Sequence, residues 1–214
     1  MNVGVLVSGR GTNLQALIDR GRRGELGPAR LTVVGSNVPD TPAQARARAA
    51  GLPTFVVDHR DYSARAGFDR ALITALKAHQ VDLVVLAGFM RVLGDDFLGA
   101  FPQRVINIHP ALLPAFPGIH AQRQALDSGV KIAGCTIHFV DQGIDTGPII
   151  AQSAVLVPQL AARPLARLRV VDLHHAHPAL HQAPRQQALR PEEDRKSTRL
   201  NSSHSRASRM PSSA

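Results

Sequence analysis

Short apolar runs alternate with helix-periodic stretches from the N-terminus to about residue 110, and few folds accept that alternation. A repeated strand–helix–strand order requires a largely parallel sheet with helices on its faces. Asn2–Val7 reads as a strand, Ser8–Asn13 as a glycine-rich turn, and Thr12–Arg22 as a helix with Leu14, Leu17 and Ile18 on one face. Leu31–Val34 and Thr54–Val57 read as strands on either side of an alanine-rich helix, Pro42–Ala50. Phe68, Leu72 and Leu76 set a helix over Phe68–His79, and Val81–Leu86 has the character of a central strand buried on both faces. Arg104–Ile108 is the next strand, followed by a loop punctuated by Pro110, Pro114 and Pro117 and a helix over His120–Asp127. Ile132–Val140 and Ile149–Val157, joined by the loop Asp141–Pro148, read as a terminal hairpin. The fold class expected is α/β and Rossmann-like, with a mostly parallel sheet ending in a C-terminal hairpin, and no internal repeat interrupts it.

Composition breaks near Pro158. The formal net charge of the 214 residues is +9, which points to a nucleic-acid partner until it is divided along the chain. Residues 1–158 carry 15 basic and 12 acidic side chains, whereas 159–214 carry 10 and 4. All 17 glycines, all seven phenylalanines and the single tyrosine precede the break. Two segments follow: a domain over 1–158 and a basic tail over 159–214. The tail lacks the large apolar side chains that offset the entropy of ordering, so it is expected to be disordered apart from a short helix over Leu165–Leu173. Its end, Asp194 to His204, reads like translated adapter sequence, so the tail is expected to be frame-shifted or foreign. The lone Cys135 excludes a disulfide framework within the chain and fits a reducing compartment. With no signal-like leader, the expected location is the cytoplasm, and the longest apolar run, Leu83–Met90, is too short to span a membrane.

Three segments carry chemistry. Ser8-Gly9-Arg10-Gly11-Thr12-Asn13 follows a strand and opens a helix, so its backbone N–H groups and the helix dipole converge where an anion would sit. Leu14 stands where a dinucleotide fingerprint needs its third glycine, and no lysine follows as in a P-loop. A plain tight turn is the competing explanation. Asn107-Ile108-His109-Pro110 ends a strand, and period-2 geometry puts Asn107 and His109 on one face. An amide donor beside an imidazole suits a reaction that develops an oxyanion and moves a proton. A histidine ending a strand is nevertheless more often structural. In the loop after His138-Phe139-Val140, Asp141 and Asp145 are two carboxylates flanked by Gly143 and Gly147, and one of them near His109 would orient the ring and favour its charged form. A solvated turn explains them as well. A metal site at His109, His138 and Asp145 lacks any local ligand-pair spacing, and His174, His175 and His177 in the tail have no supporting shell, so no metal is expected.

Four motifs in order, Val5 to Ile18, Leu86 to Leu93, Asn107 to Pro114 and His138 to Pro148, resemble the folate-dependent phosphoribosylglycinamide formyltransferases over about residues 1–158. The resemblance implies the formyltransferase variant of the Rossmann-like fold and formyl transfer from 10-formyltetrahydrofolate to the amine of 5'-phosphoribosylglycinamide in purine biosynthesis. In that reading Asn107 stabilises the oxyanion, His109 is the general acid/base, and Asp145 holds His109 charged and helps move the proton. Gly11, Thr12 and Asn13 take the acceptor phosphate. Arg65, Met90, Arg91, Val92, Leu93, Asn107, Asp141, Gln142, Gly143, Ile144 and Asp145 line the folate site. The family continues with an acidic helical segment that packs on the sheet and supplies a glutamate to the acceptor site, and here the basic tail stands instead.

Other classes stay in view. A formyltetrahydrofolate hydrolase, or a formyltransferase with a different acceptor, would use the same Asn-x-His and Asp core. An inactive truncated chain whose basic tail contacts polyanions nonspecifically is the third possibility; basic residues without interleaved aromatics give salt-sensitive binding and no specific nucleic-acid recognition. No membrane partner is expected, and oligomeric state is not legible.

Overall fold

The computed structural model describes residues 1–157. In chain order they form β1 (Asn2–Val7), α1 (Thr12–Arg22), β2 (Arg30–Ser36), α2 (Pro42–Ala49), β3 (Thr54–Val56), α3 (Arg65–Ala78), β4 (Leu83–Leu86), α4 (Asp95–Ala100), β5 (Val105–His109), α5 (Ala121–Asp127), β6 (Ile132–Phe139) and β7 (Ile149–Leu156). The expectations for the tail, including its disorder, the Leu165–Leu173 helix and the three histidines, lie outside the described residues.

One seven-stranded sheet runs in the order β3-β2-β1-β4-β5-β6-β7. β1 to β5 pair in parallel, whereas β6 is antiparallel to β5 and β7 to β6, so the sheet is mostly parallel and ends in a hairpin as the sequence predicts. Alternation sends the strand side chains to two cores. Leu6, Val84, Leu86 and Val105 pack with Phe68, Leu72, Leu76 and Phe97 on the α3/α4 face. Val5, Val7, Val34 and Val85 pack with Leu14, Ile18, Ala43 and Ala47 on the α1/α2 face. β1 and β4 are covered on both sides, which is why their sequences are continuously apolar.

Local chemistry fixes the helix starts. Thr41 caps α2 by accepting from the Gln44 N–H, the Gln44 side chain reaches back to the Thr41 N–H at 3.2 Å, and Pro42 occupies the first turn, where its missing N–H is not needed. Two element starts differ from the periodic reading by two residues or more. Helix α3 starts at Arg65, three residues before its first core side chain, because periodicity marks only buried positions. Strand β4 starts at Leu83: the Val81 N–H still bonds Leu76 O as part of the helix exit, and Asp82 turns its carboxylate to the Asn2 N–H at 2.7 Å. Helix α4 is additional; its six residues, with Gly94 before and Gly99 within, carry too little periodic signal to be seen. Among the described residues no helix is long and apolar enough to cross a membrane.

Cys135 lies on β6, buried, and burial pushes its thiol up against a weaker pull from a hydrogen bond with the Ser153 backbone. It is a packing residue by these measures. Native protein should therefore react with a thiol reagent far more slowly than urea-unfolded protein, and Cys135→Ala should fold with a loss of about 1 kcal/mol in denaturant titration. Labelling of the native chain at the rate of a free thiol would contradict this placement.

Candidate active site

The strand order changes direction between β1 and β4, and in open α/β sheets the crevice outside the carboxyl ends of such strands binds ligands. The turn after β1 sits there. Gly11 holds φ +73°, and a Cβ on it would lie 2.6 Å from Ala43 Cβ, so only glycine lets the turn seat against α2. The Ala43 N–H bonds Gly9 O, and Arg46 donates from Nε to Arg10 O at 3.0 Å and from Nη1 to Gln15 Oε1 at 3.2 Å. Among the described residues no side chain caps α1, so the amides of its first turn, with Thr12 exposed and Asn13 half-buried, are open to an anion.

Asn107 and His109 end β5 on the α3/α4 face, in line with Val105 and opposite His138 and Thr136 of β6. The loop after β6 folds back over this face and brings in Asp145. Its Oδ2 lies 3.3 Å from His109 Nδ1 and accepts the Gly118 N–H at 2.8 Å; its Oδ1 accepts Asn107 Nδ2 at 3.3 Å and lies 3.4 Å from His138 Nε2. His109 Nε2 faces Phe116 O at 2.8 Å. Both ring nitrogens of His109 thus face oxygen atoms, which fixes the orientation of the ring. His109 is buried and the Asp145 side chain is 12% exposed, so water screens their contact only weakly.

The structure therefore brings together Asn107, His109 and Asp145 and adds a residue that sequence reasoning weighed only as a metal ligand. His138, 2% exposed, directs Nδ1 to Phe139 O at 2.8 Å, leaving Nε2 to accept from Asn107 Nδ2 at 3.2 Å. Its membership follows from the β5–β6 register, which pairs it with Asn107 and which local spacing does not reveal. Thr136, one pleat further, bonds Ala111 O, the Leu113 N–H and Gln152 Nε2, fixing the chain that leaves His109. Among the described residues no group of three or more His, Cys, Asp or Glu is arranged to hold a metal ion.

The remaining expected residues surround this cluster in part. Arg65 opens α3, exposed; Met90, Arg91 and Val92 are exposed between β4 and α4, with Met90 68% accessible. Leu93 differs: its side chain is buried in the α3/α4 core, so it offers a ligand only backbone. Asp141 Oδ1 accepts the Gly143 N–H and the Thr146 hydroxyl, shaping the loop internally rather than facing His109. Gln142, Gly143 and Ile144 are exposed on that loop. A cleft of about 250 Å³ opens beside Asp145, lined by Leu113, Pro114, Pro117, Ile144, Thr146 and Ile149 among others.

Comparisons with known proteins bear on the fold and the family. Residues 1–177 match the family described as Formyl transferase, past the compositional break at Pro158. Phosphoribosylglycinamide formyltransferase of Bacillus subtilis is 42% identical over 171 residues, 80% of this chain and 87% of that protein. The trifunctional purine biosynthetic protein adenosine-3 of Drosophila melanogaster is 51% identical over 154 residues, 72% of this chain; the chain spans only 11% of its length. In structure, glycinamide ribonucleotide transformylase 1 of Symbiobacterium toebii superposes with a TM-score of 0.72 at 53% identity, covering 74% of each chain. By sequence over most of its length and by fold, the chain belongs to the formyl transferase family.

Proposed function

We propose that the chain transfers a formyl group from 10-formyltetrahydrofolate to the amine of 5'-phosphoribosylglycinamide. The observation that carries this reading is the convergence of Asn107, His109 and Asp145 on one face, two strands from an open helix N-terminus. Two strand spacings amount to roughly 10 Å, a span that an acceptor with a phosphate at one end and an amine at the other can bridge. The phosphate sits on the Gly11 to Asn13 amides, and the amine reaches the formyl carbon beside Asn107. As the new C–N bond forms, Asn107 Nδ2 donates to the developing oxyanion, which requires it to turn from Asp145. The proton shed by the amine passes through His109, steadied by Asp145, to the folate nitrogen as its bond to the formyl carbon breaks.

Arg65, the Met90 to Leu93 segment and the Asp141 to Asp145 loop hold the folate, with exposed Met90, Val92 and Ile144 supplying apolar contact. The lone buried Cys135 fits a cytoplasmic setting for this chemistry.

Product assays with and without the amine separate transfer from hydrolysis of the folate. Substituting Asn107, His109 or Asp145 by alanine should lower turnover at least about a hundredfold in chains that remain folded. Wild-type turnover in His109→Ala would remove it from the mechanism. Gly11→Val should raise the acceptor KM roughly tenfold or more, because the new side chain meets Ala43 and distorts the amide turn. If Gly11→Val altered only the folate KM, the two subsites would be exchanged.

A further inference from the structure

The Met90 to Leu93 segment is neither helix nor strand, so no periodic ladder fixes its backbone, yet it has to present a defined surface. Its two ends are tied by side chains that the mechanism does not use. At the start, the Met90 N–H donates to Ser8 Oγ at 2.8 Å, and the same hydroxyl donates to Asn37 Oδ1 at 2.5 Å. Asn37, 2% exposed at the end of β2, is itself held through Nδ2 against His59 Nδ1 at 3.2 Å. With its proton committed to Asn37, the Ser8 hydroxyl has a lone pair for Met90. At the other end, the Gly94 N–H donates to Asp69 Oδ2 at 2.8 Å.

Asp69 is 1% exposed, and its Oδ1 has no hydrogen-bond partner among the described residues, a costly arrangement for a residue of packing value only. Burial pushes the carboxyl up, the Gly94 N–H and the Arg65 charge pull it down, and Asp96 pushes it up again. A Cβ on Gly94 would lie 2.7 Å from Asp69 Oδ2 and 3.1 Å from Arg65 Nε, so glycine lets the segment end seat against both. Arg65 and Asp69 are four residues apart on α3 and share a face.

We propose that Ser8 and Asp69 are positioning residues that suspend the Met90 to Leu93 segment as a strap, setting the folate subsite from the acceptor turn at one end and from the helix of Arg65 at the other. The inference rests on the folate assignment of this segment given above. It follows that the strap is preset before substrate arrives.

The test uses the full chain, with amide hydrogen exchange at Met90 and Gly94 and steady-state kinetics in each substrate. Ser8→Ala should speed exchange at Met90 at least about tenfold and raise the folate KM roughly tenfold, with kcat and the acceptor KM within about twofold. Asp69→Ala should do the same at Gly94. Ser8→Thr, which keeps the hydroxyl, and Asp69→Asn, which keeps an oxygen facing Gly94, should bring exchange and the folate KM back toward wild type. If Asp69→Ala does not fold, the Ser8 pair and Asp69→Asn still decide. Unchanged exchange in Ser8→Ala, or a parallel loss in kcat and both KM values, overturns the proposal. A wild-type chain that transfers no formyl group overturns the function reading instead, while the exchange measurements still decide whether the two anchors hold the strap.

Discussion

Asp145 sets the terms for the whole functional face. A carboxylate this withdrawn from water costs several kcal/mol unless it is paired, and Asp145 is paired on both oxygens, by the Gly118 N–H and His109 on one side and by Asn107 on the other. Those partners come from two separate pieces of chain, β5 and the proline-punctuated loop that follows it. Holding the carboxylate there takes an uncommon backbone, since Asp145 itself has φ +56° and Gly147 has no room for a Cβ against Phe139 O. The loop that delivers it is braced from within by Asp141. One buried charge thus recruits donors, ring orientation and loop shape together.

The sheet explains why these pieces meet. Leu86 of β4 pairs with Asn107 of β5, and Asn107 with His138 of β6, so all three project from the α3/α4 face. Toward the sheet centre that face is an apolar core closed by Phe68, Leu72 and Phe97. From the end of β5 across β6, Asn107, His109, Thr136 and His138 replace the apolar residues of that face, and the same alternation that buries Val105 turns the chemistry to the same side. A parallel strand in place of β6 would need a crossover helix on one face. The hairpin instead leaves the face free for the Asp141 to Pro148 loop to fold across.

Much of this was legible in the residues. The strands around Val5 and Val84 announce themselves by apolar continuity, α1 by Leu14 and Ile18 after a glycine turn, and the hairpin by apolar runs with no helical stretch between them. Period alone puts Asn107 and His109 on one face, and the strand has them there. What stayed hidden had weak local signal. Helix α4 has one glycine before it and one within it and a single buried side chain, Phe97, and Leu93 looks like a neighbour of exposed Met90 until the core at Phe97 claims it.

The supports of the site were hidden for a different reason. Ser8 and Met90 are 82 residues apart, Asp69 and Gly94 25, and Asn107 and His138 31. No periodicity joins such pairs; strand order and register do, and those emerge only when the sheet is assembled. The motif residues sit at the ends of elements, where local geometry presents them, and their spacing is short enough to read. The side chains that orient them sit across strand boundaries, where a one-residue change of register would send His138 to the opposite face and leave Asn107 without its acceptor. The chemistry in this fold is therefore written locally, while its precision depends on long-range pairing.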